Sequence, residues 1–153
     1  MPITMPPERE LRDVCRDLDR LPAITIQPPY ADLIARGFKT VENRARDFPW
    51  RSAIGKDIAI HSGKSRSWLA TDEYHQIPHD ELRFGGIVAV ARLLDVRSLW
   101  EVWHIQDLAA FRTEHAIGLW CLLLEEVRPV RFVPCGGFQG LWYVNDQLWR
   151  RNE

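Results

Sequence analysis

Six residues able to do chemistry fall within a short stretch of the 153-residue chain: Gln27, Tyr30, Lys39, Thr40, Glu42 and Arg44. A lysine close to a glutamate is either a surface ion pair or, once desolvated, a general base and acid. Extended chain puts Thr40, Glu42 and Arg44 on one face and Lys39, Val41 and Asn43 on the other. A carboxylate set between a hydroxyl and a guanidinium accepts from the Watson–Crick edge of a base, while the arginine holds phosphate. Gln27 offers an amide to a helix end or a base edge, and Asn43 one to the backbone at a bend. Tyr30 and Trp50 present flat faces, and base stacking on such a face is worth about 1–3 kcal/mol. A second group lies in "IHSGKSR", where His61 closes a strand and Lys64 and Arg66 stand in the turn after it. Gly63 there lets backbone approach a ligand, but the spacing is not that of a phosphate-binding Walker loop. Trp50 and Arg51, in the loop "FPWRS", and Gln139 and Trp142, in "CGGFQGLW", complete the candidates for a rim.

The elements that position these groups are legible from period and punctuation. "PPERELRDVCRDLDRLP" carries Leu11, Val14, Cys15, Leu18 and Leu21 at helical spacing and predicts an outer helix. "AITIQ" predicts a strand with Ile24 and Ile26 on one face, and "YADLIARG" a short helix ended by Gly37. "KTVENRA" and "DIAIHSG" read as strands, the latter with Ile58 and Ile60 inward. "GGIVAVARLLDVRSL" is a long strand buried on both faces or curved, and "LWEVWHIQDLAAFRTEHAIG" an amphipathic helix with Leu99, Val102, Trp103, Leu108 and Phe111 for packing. "GLWCLLLEEVRPV" is a further strand, and glycine-rich turns close the chain. Short strands outnumber helices without strict alternation, which points to an α+β domain: a small mixed barrel flanked by helices.

Composition narrows the function classes. The net charge of −1 argues against indiscriminate polyanion binding, yet Glu42 to Arg66 holds six bases against three acids. Cysteines 15, 121 and 135 are widely spaced and odd in number, as expected of a reducing cytoplasm. No apolar run approaches the roughly 20 residues of a membrane span, so no membrane role is expected. The opening "MPITMPPERELRD" has no apolar signal-peptide core. His75 and His79 are separated by Pro78 and lack nearby cysteine, so neither metal nor cofactor is expected.

The stretch "QPPYADLIARGFKTVENR" resembles the opening motif of the ASCH domain, of the PUA-like superfamily. Gln27-Pro28, Gly37, Lys39-Thr40 and Glu42-Asn43-Arg44 carry the likeness. Trp50-Arg51, "IAIHSGK" (58–64), "GGIVAVARLLDV" (85–96), "GLWCLLLEEVRPV" (118–130) and "GFQGLW" (137–142) continue it in order. The resemblance marks residues 1–22 as a tail and helix and 23–147 as an ASCH/PUA-like domain. It implies a pseudo-barrel with a cleft beside the first helix, and RNA binding or nucleic-acid processing. One bacterial branch removes an acyl group from N4-acetylcytidine with a lysine, a threonine and a glutamate. Lys39 matches that lysine, but Glu42 stands where the threonine would be.

Three functional readings are open. The first is a module that binds RNA or another single-stranded nucleic acid through Gln27, Tyr30, Lys39, Thr40, Glu42, Arg44, Trp50, Arg51, His61 and Lys64. In it Glu42 reads the base, Tyr30 or Trp50 stacks, and the basic residues hold phosphate. The second is a hydrolase of RNA or a modified nucleoside with Lys39 and Glu42 as catalytic acid and base. The third is a protein-interaction module using the outer side of the 99–111 helix. Oligomeric state is not legible.

Overall fold

Residues 7–15, 17–71, 76–104 and 115–145 are described in the computed structural model of the chain. Its six strands are β1 (Pro22–Ile26), β2 (Val41–Arg44), β3 (Asp57–Ser62), β4 (Gly86–Ser98), β5 (Trp120–Pro134) and β6 (Trp142–Tyr143). They form one mixed sheet in the order β2-β5-β4-β3-β1-β6, in which β1 and β3 are parallel and the other neighbours antiparallel. Alternation along β1 and β3 explains how the sheet is covered. Ile24, Ile26, Ile58 and Ile60 meet Ala31, Ile34 and Ala35 of helix α2 (Tyr30–Ala35) on one side. Ala23, Ala59, Val90 and Val130 meet Leu11 and Leu21 on the other. Burying both faces requires the nearly continuous apolar run of β4.

The expected mixed β architecture is present, but no ladder joins β2 to β6 among the described residues, so no closed barrel is formed. The long central pair β4–β5 shifts register at three places, between Ile87 and Ala89, Val90 and Arg92, and Leu93 and Asp95. Such irregularities bend and twist strands.

The N-terminal stripe packs as its spacing predicts, while the helix itself is shorter than expected. Only α1 (Leu11–Val14) is α-helical, and Cys15 is extended, with a 3-10 turn at Leu18–Arg20. Backbone pairing of Arg9 with Pro129 and Arg131 lays the preceding chain along β5. This pairing leaves one turn of helix between that segment and the buried Leu21. Helix α3 (Leu99–His104) buries Val102, with Leu99 packed beside it, and leaves Trp100 and Trp103 exposed. The expected contacts of Leu108 and Phe111 lie outside the described residues.

Helix α2 flanks the cleft, and its placement is held from both ends of its length. Gly37 at φ +81° ends it, as its position after the last apolar residue predicts. Fully buried Asp32 anchors it by accepting from the Arg83 amide (2.9 Å) and from the Arg83 guanidinium (Nε 2.9 Å, Nη2 2.8 Å). Removing that carboxylate strands a backbone N–H and a charge. Asp32→Ala should therefore lower unfolding free energy by about 2–4 kcal/mol, measured by urea denaturation, a cost set by the partners left behind.

Candidate functional site

Lys39, Glu42 and Arg44 form one buried polar cluster. Lys39 is 3% and Glu42 8% exposed. Lys39 Nζ donates to the Val41 carbonyl and to Glu42 Oε1, the latter at 3.1 Å. Arg44 Nη2 donates to Glu42 Oε2 at 3.0 Å and to the Thr25 carbonyl at 2.9 Å, so a side chain of edge strand β2 reaches β1 across the sheet's curl. The guanidinium also lies 5.1 Å from the Trp50 ring centroid. Burial alone would raise the Glu42 pKa, but the adjacent Lys39 and Arg44 charges and hydrogen bonds outweigh it and hold the carboxyl below its ordinary value. Glu42 is a carboxylate at neutral pH, with each oxygen facing a cation.

A second chain of bonds starts where parallel β1 and β3 pair Thr25 with His61. A carbonyl only accepts, so His61 Nε2–H donates to Cys135 O at 2.8 Å. Nδ1 then accepts from the Thr25 hydroxyl at 3.2 Å, and that hydroxyl accepts from Trp142 Nε1–H at 3.1 Å. Burial lowers the His61 pKa, so the ring in this network is neutral. Gly137 closes over it: a Cβ there would stand 2.5 Å from Thr25 Oγ1 and 2.6 Å from His61 Cε1.

Between the two networks a cavity of about 860 Å³ opens beyond the ends of β1 and β3. One wall is Tyr30 with Trp68, edge to face at 6.1 Å, and Phe138 stands in the glycine loop on another. Trp68 and Phe138 are about half exposed, which places them at the mouth. Gln27 follows β1, and its Oε1 accepts from the Ser65 amide at 3.0 Å. Its side chain lies where a Cβ on Gly63 would be, so only glycine fits there. Lys64 extends into solvent at the rim. Glu42 is the only acid among the described lining residues, against Lys39, Arg44 and Lys64.

Of the ten residues expected at a binding site, seven line this cavity: Gln27, Tyr30, Lys39, Glu42, Arg44, His61 and Lys64. Three do not. Trp50, expected in an exposed loop, is 3% exposed, because "FPWRS" folds into a 3-10 turn whose tryptophan fits under Arg44. Arg51 faces outward, bonded to Asp47 at 2.8 Å and lying 5.3 Å from the Trp120 ring centroid. The Thr40 hydroxyl is buried without a hydrogen-bond partner. His61 is an internal bonded residue, and strand parity misjudges Lys39, whose long stem folds back to Glu42. Asn43 bonds backbone as its type suggests: Nδ2 donates to His115 O at 2.6 Å, and Oδ1 accepts from the Ile117 and Gly118 amides, each at 2.9 Å. It thereby draws His115 and Ile117 into the wall. Sequence reasoning missed Trp68 and Phe138, for which an aromatic beside glycine or in a polar turn was the available signal. Among the described residues no group of three His, Cys, Asp or Glu side chains is arranged to hold a metal. His75 lies outside them.

No family model matches the sequence, and no curated protein does. Among solved structures, that of ASCH from Zymomonas mobilis matches over 86% of this chain and 94% of that one, with a TM-score of 0.52 at 17% identity. Two single-residue variants of that protein match with TM-scores of 0.50 and 0.51 at 19% identity, each over 81% of this chain and over 87% and 89% of theirs. The fold is that of an ASCH domain. The expectation raised by the "QPPYADLIARGFKTVENR" motif is met at this level, and in this ASCH fold the motif spans α2 and β2, the two elements that enclose the cleft.

The charge cluster has a pH signature. The folded Glu42 carboxyl ionises at lower pH than the ordinary value of 4.5, so its contribution to stability is complete above that value and disappears as pH falls through the folded one. Glu42→Gln should cost about 2–4 kcal/mol near pH 7 and markedly less near pH 3.5, as measured by urea unfolding at the two values.

Proposed function

We propose that the cavity binds RNA, taking in one unpaired base with its adjoining phosphate. The observation that carries this reading is the joining of a net-positive, donor-rich floor to aromatic walls in one enclosed space. Its volume falls within the roughly 300–1,000 Å³ of small-molecule sites, which suits a nucleotide and excludes a duplex. A base inserted there stacks against Trp68, Tyr30 or Phe138, while Lys64 and Arg44 meet phosphate. Glu42 serves by holding Lys39 and Arg44 in place instead of reading the base edge. With an overall charge of −1, the attraction is local to the mouth. RNA is favoured as the source because sequence-specific RNA recognition takes splayed, unstacked bases.

The hydrolase reading asks Glu42 to act as an acid, and the two cations that keep it ionised oppose that role. The protein-interaction reading puts its surface on residues 99–111, which are described only as far as His104, with Trp100 and Trp103 exposed.

The test is a time course with end-labelled single-stranded RNA, run on native and denaturing gels. Wild type should shift intact RNA, with a shift that weakens as salt rises. Trp68→Ala and Lys64→Ala, both at exposed positions, should each weaken it, the former by about tenfold as expected for loss of one stacked base. Absence of a shift, or equal binding of duplex, overturns the proposal. Shortened RNA that depends on Lys39 replaces it with the hydrolase.

A further inference from the structure

We infer that the pocket selects uracil, and that Gln27 is the residue that decides it. This selectivity rests on the proposed role of the cavity as a base pocket. It emerges from a count of the hydrogen-bonding groups on the inner wall.

The side-chain acceptors there are already committed. Both Glu42 oxygens face cations. Asn43 Oδ1 accepts two backbone amides, and Thr25 Oγ1 accepts from Trp142 while donating to His61. Gln27 Oε1 accepts from the Ser65 amide, which settles which end of this amide is oxygen. The donors are not committed. The Gln27 NH2 group has no protein acceptor among the described residues, and neither has Lys64. Arg44 Nε is buried with no hydrogen-bond partner. Gln139, the remaining amide in the lining, is exposed at the mouth.

A ligand entering such a wall must bring acceptors and few donors of its own. Uracil carries two ring carbonyls and a single N–H. Cytosine and adenine each carry an exocyclic amino group, whose two N–H would face Gln27 donor against donor. Guanine carries a carbonyl but adds an amino group and a ring N–H. A buried donor without an acceptor is penalised more heavily than a made bond is rewarded, so the count discriminates chiefly by rejection. The aromatic walls supply stacking that any base can use.

The experiment is fluorescence anisotropy with labelled RNA decamers of uridine, cytidine or adenosine at one salt concentration. Wild type, Gln27→Glu and Gln27→Ala are compared. Wild type should bind the uridine decamer about tenfold more tightly than the other two, the scale of one donor left unpaired. Gln27→Glu keeps an acceptor for the Ser65 amide but turns acceptors toward the ligand, so it should abolish or reverse the order. Gln27→Ala should narrow the gap. Equal binding of the three by wild type, or preference for adenosine or cytidine, overturns base selection while leaving RNA binding intact. A uridine preference unchanged in both variants overturns the role of Gln27. If no decamer binds, the base-pocket reading fails and this inference with it.

Discussion

The Lys39–Glu42–Arg44 cluster is the constraint on which the cleft depends. Strand β2 is an edge, tied by backbone only to β5. What holds it near β1 is the Arg44 guanidinium, bonded at once to the Thr25 carbonyl and to Glu42. Removing two cations and a carboxylate from water is costly, and it is tolerated here because each oxygen of Glu42 has a cationic donor and Lys39 gains a backbone carbonyl. Trp50 fills the space beneath the guanidinium, so the same contact that spans the cleft also seals the apolar core below it. A sheet with no ladder between its edges thus acquires a floor made by side chains.

Against that charged floor stands a neutral wall. His61 is buried, bonded at both nitrogens and kept uncharged, and the Thr25 hydroxyl transmits the arrangement to Trp142. The two walls meet only because side chains are missing where the chain must come close, at Gly63 against Gln27 and at Gly137 against His61. The cavity is consequently preorganised by bonds within the protein. Its inner acceptors are used up in building it, which leaves its donors to the ligand.

Much of the architecture was legible one element at a time. The isoleucines of "AITIQ" and "DIAIHSG" alternate as half-buried strands do, and both pairs lie in the same cluster against α2. Gly37 ends α2 where a left-handed residue was needed. The stripe from Leu11 to Leu21 buries as its spacing implies although the chain between is mostly not α-helical, since burial comes from the sheet face it meets and not from the helix. Trp50 was misplaced for a related reason: local polarity marks "FPWRS" as a loop, but a loop that crosses the curl of a sheet can have a tryptophan beneath it.

What the sequence by itself determined is therefore the inventory and the local geometry. It set which segments extend, where α2 stops, and the placing of Lys39, Glu42 and Arg44 within one short stretch. The tertiary structure alone decided which of these groups share a space. Long side chains ignore strand parity, which is how Lys39 turns back to Glu42. Contacts between residues far apart in the chain, such as Arg44 with Thr25 and Asn43 with Ile117, depend on sheet order and curl. Sheet order and curl come from pairing and packing summed over all six strands. No single stretch of sequence contains that sum.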